Sequence, residues 1–202
     1  MVLDWLIIGL GNPGKRYEGT LHNAGFSVLD LLFQACQRTA PVSWKAAGPM
    51  LCAELRSSLA PEILGNVLLV KPQTYMNLSG KILLRLRKAY EWPPQRCIVL
   101  LDNLDLPPGN LRLKLGGGFS SHKGLRSLRE GGMTADFWRF FIGIGHPGSP
   151  EQVSDYVLNK PRRADAERYN DALERAEQHL FDILRGKLPE ELIPTVNRKL
   201  YS

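Results

Sequence analysis

The sequence contains little cysteine and no cysteine pair. Its three cysteines, Cys36, Cys52 and Cys97, form no C-x-x-C motif, are odd in number, and each lie in an apolar segment. A thiol in such a segment behaves as a small hydrophobic group, and this spacing is not typical of a disulfide scaffold. The sequence therefore indicates a protein whose thiols stay reduced, as in a cytosolic compartment.

Long apolar runs are also missing. No stretch approaches the roughly twenty apolar residues that a membrane-spanning helix requires. No basic segment precedes the first strand pattern, which begins near Leu3. We expect a cytoplasmic protein with no membrane partner. A transit peptide that had been removed would leave no trace, so an organelle matrix stays open as a second location.

No stretch of the 202 residues has the composition of a linker. Hydrophobic residues make up 44% and charged residues 23%, which are ordinary values for a soluble globular protein. We therefore predict a single domain over residues 1–202. The 26 Lys and Arg residues exceed the 20 Asp and Glu residues, for a net charge of +6. This charge suits a polyanionic partner but is weak evidence for one.

Short apolar runs alternate with amphipathic segments along the chain. The runs predict strands at 5–8, 50–56, 66–70, 97–101, 111–115 and 138–144. Apolar residues at intervals of three and four predict helices at 23–37, 78–90, 123–130 and 163–185. The polar connection 57–65 suits a hairpin, which supplies an antiparallel edge. The predicted fold class is α/β, a single three-layer α/β/α domain with a mixed, mostly parallel twisted sheet.

One loop, residues 10–23, lies between the first predicted strand and the first predicted helix. Open α/β sheets place their ligands at such strand ends. Residues 9–14 also match the glycine fingerprint of dinucleotide-binding folds, but the helical pattern starts only after Gly14, and the candidate acid, Asp30, falls inside that helix. We interpret the glycines as turn residues that let Asn12 and His22 approach a ligand.

His22 is the histidine whose surroundings suit a general base. It lies in this strand-end loop, and Asp102 follows a buried strand that ends at the same edge of the sheet. A carboxylate bonded to Nδ1–H leaves Nε2 free to take a proton, and amides such as Asn12 and Asn77 can hold a carbonyl or its oxyanion. The alternative for His22 alone is a structural histidine that caps the first helix.

Four segments, taken in chain order, resemble the bacterial-type peptidyl-tRNA hydrolase family. They are Gly9-Leu10-Gly11-Asn12-Pro13-Gly14 with Tyr17 and His22-Asn23-Ala24-Gly25; Lys71-Pro72-Gln73-Thr74-Tyr75-Met76-Asn77-Leu78-Ser79-Gly80; Asp102-Asn103-Leu104-Asp105-Leu106-Pro107-Pro108-Gly109; and Gly143-Ile144-Gly145-His146-Pro147-Gly148. In that order the motifs are highly specific. The resemblance covers residues 3–161, and the remaining helix agrees only in type.

The resemblance implies a monomeric cytosolic esterase, without metal or cofactor, that frees peptides from prematurely released peptidyl-tRNA. It implies that His22 activates water, that Asp102 orients and stabilises it, and that Asn12 and Asn77 hold the peptide end and the reacting carbonyl. By the same resemblance, the cleft for the terminal nucleotide and peptide is lined by Tyr17, Tyr75 and Met76.

Chemistry of the substrate adds further expectations. The two tyrosines offer flat faces for a base, although Tyr75 alone could equally be a packing residue before a helix. Among basic residues, Lys114 is our first choice for the acceptor-stem phosphates. His122 and Lys123, which follow a run of glycines, are also expected to contact the tRNA 3′ end.

Residues 116–124 and two further positions depart from the family pattern. The family reads Gly-Gly-Gly-His-Gly-Gly-His-Asn-Gly where this chain has residues 116–124, so Lys123 replaces an asparagine that binds substrate and helps to place the water. Phe141 stands where a basic residue is expected, and Asn103 where an acid is common. An alternative function is therefore a catalytically weakened or inactive RNA-binding member, similar to relatives recruited to organellar intron splicing.

Overall fold

The residues that the structure describes form seven strands, six α-helices and five 3-10 helices. The computed structural model describes residues 1–119 and 122–201, so Ser120 and Ser121 of the predicted substrate loop lie outside the described residues. The strands are β1 (Trp5–Gly9), β2 (Lys45–Ala46), β3 (Met50–Arg56), β4 (Asn66–Pro72), β5 (Cys97–Asn103), β6 (Leu111–Leu115) and β7 (Trp138–Gly143). The helices are α1 (Ala24–Gln37), α2 (Leu83–Ala89), α3 (Lys123–Glu130), α4 (Val153–Val157), α5 (Ala166–Leu184) and α6 (Pro189–Val196).

The strands form one mixed sheet in the order β2-β3-β4-β1-β5-β7-β6. Its centre, β4-β1-β5-β7, is parallel, and the pairs at both ends are antiparallel. The central strands β1 and β5 are apolar on both faces, as parallel strands covered by helices must be. The predicted α/β class with a mostly parallel mixed sheet is confirmed. The assignment of residues 1–202 to one domain stays a prediction.

Side chains of β5 alternate between the two apolar layers. Ile98 and Leu100 belong to the layer formed with α1, α5 and α6, whereas Val99 and Leu101 belong to the layer formed with α2 and α3. Because successive side chains of a strand point to opposite faces, Asp102 emerges on the face covered by α1 and α5. The strand register thus fixes which layer surrounds the carboxylate.

The start of α1 touches the end of β5 through a glycine. A Cβ atom on Gly25 would lie 2.3 Å from the carbonyl oxygen of Leu100 and 2.5 Å from the amide nitrogen of Leu10. Only glycine permits this approach without displacing the backbone. The contact brings His22 and Asn23, which immediately precede α1, next to the end of β5.

The predicted helix over 78–90 is wrong in its first half. Residues Met76–Ile82 form a 3-10 helix, and α2 begins only at Leu83. The Met76 carbonyl accepts a hydrogen bond from Ser79 Oγ at 2.9 Å, and the Gly80 N–H donates to Ser127 Oγ at 3.0 Å. These bonds use the two groups that an α-helix would pair with each other, so the segment stays in the tighter form.

Three short elements were not predicted. They are β2, with only two residues, α4, with five, and α6, which contains Pro194. The C-terminal part protects an exposed sheet edge: Asn197 Oδ1 accepts from the Leu113 N–H at 2.6 Å, and Asn197 Nδ2 donates to the Leu113 carbonyl at 3.1 Å. This side-chain amide therefore takes the place of a further strand beside β6.

The contact between the 3-10 segment and α3 gives a test. A Cβ atom on Gly80 would lie 1.9 Å from the Ser127 carbonyl oxygen. We expect Gly80→Ala to lower the free energy of unfolding by about 1–3 kcal/mol, because two backbones must separate. Urea-induced unfolding of the two proteins measures this change in the free energy of unfolding. Lys81→Ala, at the exposed next residue, is the control and should change stability by less than about 0.5 kcal/mol. Equal stabilities for the two variants would contradict the close contact.

Candidate active site

A cleft opens at the carboxyl ends of the central strands. Its volume is about 1010 Å³, and loops following β1, β4 and β5 meet the N-terminus of α3 there. It contains nearly all of the predicted site residues. Its polar lining consists mainly of Asn12, Tyr17, His22, Tyr75, Asn77, Asp102, His122, Lys123, Arg126, Ser127 and Glu130, and its apolar lining includes Met76, Leu104, Phe141, Pro150, Val153, Val157 and Leu158.

Two histidines share one carboxylate oxygen at the floor of the cleft. His22 Nδ1 lies 2.9 Å and His122 Nε2 lies 3.0 Å from Oδ1 of Asp102, and all three side chains are buried. The imidazole rings are 5.0 Å apart between centroids. Burial alone would raise the pKa of Asp102, but the two imidazoles hold that pKa well below its usual range. The carboxylate is therefore ionised and can only accept hydrogen bonds.

The hydrogen bonds define the tautomers of both rings. Because ionised Asp102 accepts, hydrogen must sit on His22 Nδ1 and on His122 Nε2. His122 Nδ1 accepts from the Gly124 N–H at 3.1 Å, which makes His122 the N-cap of α3 and leaves its ring neutral. Nε2 of His22 makes no hydrogen bond to any residue that the structure describes. This nitrogen is free to take a proton from a molecule in the cleft.

Among the described residues, the side chains of His22, Asp102 and His122 are also close enough together to act as ligands of one metal ion. One ligand atom from each of His22, Asp102 and His122 lies within 4.8 Å of the others. The hydrogen bonds already use three of these atoms, and His122 Nε2 carries hydrogen rather than a free lone pair. The arrangement is therefore that of an oriented base rather than of a metal-ligand set.

Asn12 is fixed in one orientation. Its Oδ1 accepts from the Met76 N–H at 2.8 Å. Asn23 holds its backbone on both sides: Asn23 Oδ1 accepts from the Asn12 N–H at 2.8 Å, and Asn23 Nδ2 donates to the Asn12 carbonyl at 3.0 Å. With Oδ1 occupied, the Nδ2 group of Asn12 is the part left for a ligand. It is a donor, as a developing oxyanion requires.

This role of Asn23 was not predicted from the sequence. Asn23 occupies the N-cap position before α1, but its side chain makes no capping hydrogen bond. The amide is used on Asn12 instead, eleven residues earlier. The adjacent His-Asn pair after a glycine loop was the available signal. The hydrogen bonds between Asn23 and Asn12 themselves form only because the loop folds back on itself, which the sequence pattern does not indicate.

Two tyrosines stand at the mouth of the cleft. The rings of Tyr17 and Tyr75 meet edge to face, with centroids 6.4 Å apart and planes at 82°. Tyr75 is 59% exposed, which does not fit the alternative that it is only a packing residue. Met76 is buried beneath them, and Asn77 is exposed. All four line the cleft.

The basic residues divide into two groups. Lys123, at the first position of α3, is exposed and lines the cleft together with Arg126. Lys114 is exposed on β6 and is not part of the lining, so the structure does not bring it to the base. It lies opposite Arg139 in the β6–β7 pairing. Lys114 therefore lies on an edge strand of the sheet, outside the cleft lining.

Arg139, which was not among the site residues predicted from the sequence, is a buried basic residue on β7. Its side chain is 1% exposed, donates to the Gly117 carbonyl at 2.7 Å, and lies 4.3 Å from the ring centroid of Phe137. No acidic side chain in the described ranges pairs with it. A basic residue inside the otherwise apolar strand 138–143 was the sequence signal. Arg139 ties the glycine-rich segment after β6 to the central sheet.

The fold and the site define a class. At the carboxyl ends of its strands, the α/β sheet carries a histidine oriented by a carboxylate and an asparagine amide held in one orientation. This arrangement is typical of an α/β hydrolase that uses a general base. The membership within that class follows from comparison with known proteins.

Residues 6–201 match the family profile described as peptidyl-tRNA hydrolase. The peptidyl-tRNA hydrolase of Neisseria meningitidis serogroup A is 40% identical over 188 residues, which cover 92% of this chain and 93% of that protein. That of Nitrosomonas europaea is 41% identical over 181 residues, or 90% and 89% of the two chains. The crystal structure of peptidyl-tRNA hydrolase from Acinetobacter baumannii at 1.00 Å superposes with a TM-score of 0.85 at 32% identity, covering 98% and 97%. The chain belongs to the peptidyl-tRNA hydrolase family.

None of the helices within residues 1–119 and 122–201 has the length and apolar composition needed to cross a membrane.

Asn23 gives a structural test of the site. We expect Asn23→Ala to accelerate hydrogen exchange of the Asn12 amide by about ten-fold or more, because the acceptor of that N–H is lost. Amide exchange followed by NMR measures it. Gln37→Ala, at the opposite end of α1, removes a side-chain bond to the Val42 carbonyl and should leave the Asn12 amide unchanged. Unchanged exchange in Asn23→Ala would mean that Met76 alone fixes the loop.

Proposed function

We propose that this protein hydrolyses the ester between peptide and tRNA in peptidyl-tRNA, releasing free peptide and reusable tRNA, with His22 as general base. The single observation that carries the proposal is the His22 Nδ1–Asp102 Oδ1 bond of 2.9 Å, which leaves Nε2 free in the cleft beside Asn12. A ribose ester needs only an activated water and a donor for the oxyanion, so no covalent nucleophile is required.

The proposed reaction has two proton transfers. His22 Nε2 takes a proton from water as its oxygen attacks the ester carbonyl, and the carbonyl electron pair moves onto oxygen. The Nδ2–H of Asn12 donates to that oxyanion, while Asp102 stabilises the imidazolium. The tetrahedral intermediate then collapses, the bond to the ribose oxygen breaks, and the imidazolium returns the proton to that oxygen. The products are a free ribose hydroxyl and a peptide carboxylic acid, which loses its remaining proton to solvent at neutral pH.

The remaining predicted residues are assigned to substrate. Tyr17 and Tyr75 offer ring faces to the terminal base, Met76 forms the apolar floor, and Asn77 offers an exposed amide to the peptide end. Lys123 and Lys114 attract phosphates of the 3′ end and the acceptor stem. For His122 we revise the expectation: a buried ring bonded to Asp102 favours holding the carboxylate over contact with tRNA.

We further propose a cytoplasmic monomer that needs neither metal nor cofactor. The reduced-type cysteine pattern supports the compartment, and the hydrogen-bonded base supports chemistry without a metal. The alternative, an RNA-binding member without turnover, is not favoured. The relatives at about 40% identity are named as hydrolases, and His22, Asp102 and Asn12 line one cleft. Release of the acyl group from N-blocked aminoacyl-tRNA decides between the two functions.

His22→Ala is the direct test of the base. We expect kcat on N-blocked aminoacyl-tRNA to fall by about a hundred-fold or more, with the fold retained and tRNA binding little changed. The unfolding midpoint should fall, because buried Asp102 loses one of its two donors. Quenched hydrolysis assays and tRNA titration measure these quantities. His146→Ala, which changes another histidine outside the cleft lining, is the control. Turnover near that of the unchanged protein would remove His22 from the mechanism.

Lys123→Asn tests the departure from the family pattern. An ammonium group donates but cannot accept, so Lys123 cannot place a water as an amide does. We expect Lys123→Asn to raise kcat and to flatten the salt dependence of tRNA binding by about one phosphate contact, or about 0.7–0.9 in the log-log slope.

The measurement compares kcat and tRNA affinity at several salt concentrations. Lys45→Asn is the matched control, because Lys45 is exposed on β2, at the opposite edge of the sheet from β6. The control should change neither quantity. If Lys123→Asn also leaves both unchanged, Lys123 has no part in substrate binding and the departure is neutral.

A further inference from the structure

Phe26 is a buried aromatic residue close to the cleft. It lies in the first turn of α1, three residues after Asn23, and is 7% exposed. Among the described residues, neither of the two apolar layers that cover the sheet includes it. A large apolar side chain that is buried outside both layers is held there by contacts of its own, and these contacts indicate what the ring does.

One contact of the Phe26 ring is with the loop that carries Asn12. A Cβ atom on Gly11 would lie 2.6 Å from Cγ, 2.7 Å from Cδ1 and 2.8 Å from Cδ2 of Phe26. Because these three distances are almost equal, Gly11 faces the plane of the ring and not its edge. The ring therefore packs flat against the residue that precedes Asn12, and the backbone at Gly11 has no room to move toward α1.

A second contact fixes the ring itself. Lys71 Nζ lies over the Phe26 ring, 4.8 Å from its centroid, and both carboxylate oxygens of Asp30 accept from the same ammonium at 2.7 Å. Asp30 lies one turn after Phe26 on α1, and the Lys71 side chain is only 13% exposed. An ammonium that has lost most of its water attracts a ring face more strongly than an exposed one. The ion pair thus keeps Phe26 in place against Gly11.

The contact restricts Asn12 in a way that its hydrogen bonds do not. Asn12 is bonded to Asn23 and to the Met76 N–H, and bonds of this kind tolerate small changes in length and angle. Donation to an oxyanion is more demanding, since the donor must lie within a few tenths of an ångström of its best position. A packed ring beside Gly11 excludes the small displacements that the hydrogen bonds would allow.

We propose that Phe26, held by Lys71, is a positioning residue for Asn12. Its ring sets the place of Gly11, and therefore the place from which Asn12 Nδ2 donates into the cleft. The inference rests on the proposed role of Asn12 as donor to the oxyanion. It also gives Asp30 a function: this acid, which a dinucleotide-binding loop would have used for a ribose, holds the ammonium of Lys71.

Phe26→Leu removes the flat ring and keeps an apolar side chain. We expect kcat on N-blocked aminoacyl-tRNA to fall by about ten-fold with KM unchanged, because the oxyanion exists only in the transition state. Phe33→Leu is the matched control. Phe33 lies on the same helix and is also 7% exposed, but it stacks on Trp44 within an apolar layer. The control should change kcat by less than about two-fold.

The same substitution in an Asn12→Ala background separates positioning from a general effect on the fold. If Phe26 acts through Asn12, Phe26→Leu should change kcat by less than about two-fold once the Asn12 amide is gone. Equal falls in the two backgrounds would overturn the inference, because an effect on the fold does not depend on Asn12. An unchanged kcat in Phe26→Leu, with activity lost in Asn12→Ala, would overturn it as well.

Hydrogen exchange of the Met76 amide reports the position of Asn12 without turnover, because this N–H donates to Asn12 Oδ1 at 2.8 Å. We expect exchange to be about ten-fold faster in Phe26→Leu than in Phe33→Leu. Faster exchange, with kcat unchanged in Asn12→Ala, would support the positioning role and contradict the proposed oxyanion donor. Equal exchange in the two phenylalanine variants would contradict the positioning role.

Discussion

A single buried oxygen, Oδ1 of Asp102, is the point on which the site depends. It accepts hydrogen bonds from two imidazoles that arrive on different elements, His22 before α1 and His122 at the start of α3. Taking an ionised carboxylate out of water is costly unless donors replace its hydration, and the two N–H groups do so here. The same bonds fix the tautomer of each ring. The bonds that stabilise the buried carboxylate at the end of β5 therefore also leave Nε2 of His22 without hydrogen and open to the cleft.

That arrangement requires close approach of backbones on both sides of the sheet. Gly25 lets α1 begin against the Leu100 carbonyl, and Gly80 lets the 3-10 segment lie against Ser127 of α3. Side chains at these positions would separate the elements that carry Asn12, His22 and the other residues of the cleft lining. The glycines thus permit close contacts between these backbones, and burial of the two apolar layers stabilises the fold.

Basic residues lie both in the cleft and on the neighbouring strands β6 and β7. Arg139 is buried among carbonyls and aromatic rings rather than against an acid, and Lys114 lies beside it on β6. Lys123 and Arg126 extend the positive charge to the cleft itself. Asp105 and Glu130 also line the cleft, so the attraction for a polyanionic substrate comes from these individual cations and from the net charge of +6 of the whole chain.

The sequence by itself determined the fold class, most element positions and the key chemistry, because short apolar runs, helical periodicity and strand-end motifs are local signals. The prediction of α3 at Lys123–Glu130 agrees with the structure, and His22, Asp102 and Asn12 do meet in one cleft. Tertiary structure alone decided that His122 shares Asp102, that Asn23 clamps Asn12 rather than capping α1, and that Met76–Ile82 is a 3-10 helix. Each depends on a side chain bonding a group distant in sequence. Local patterns carry no information on such pairings, which arise only when the sheet brings the loops together.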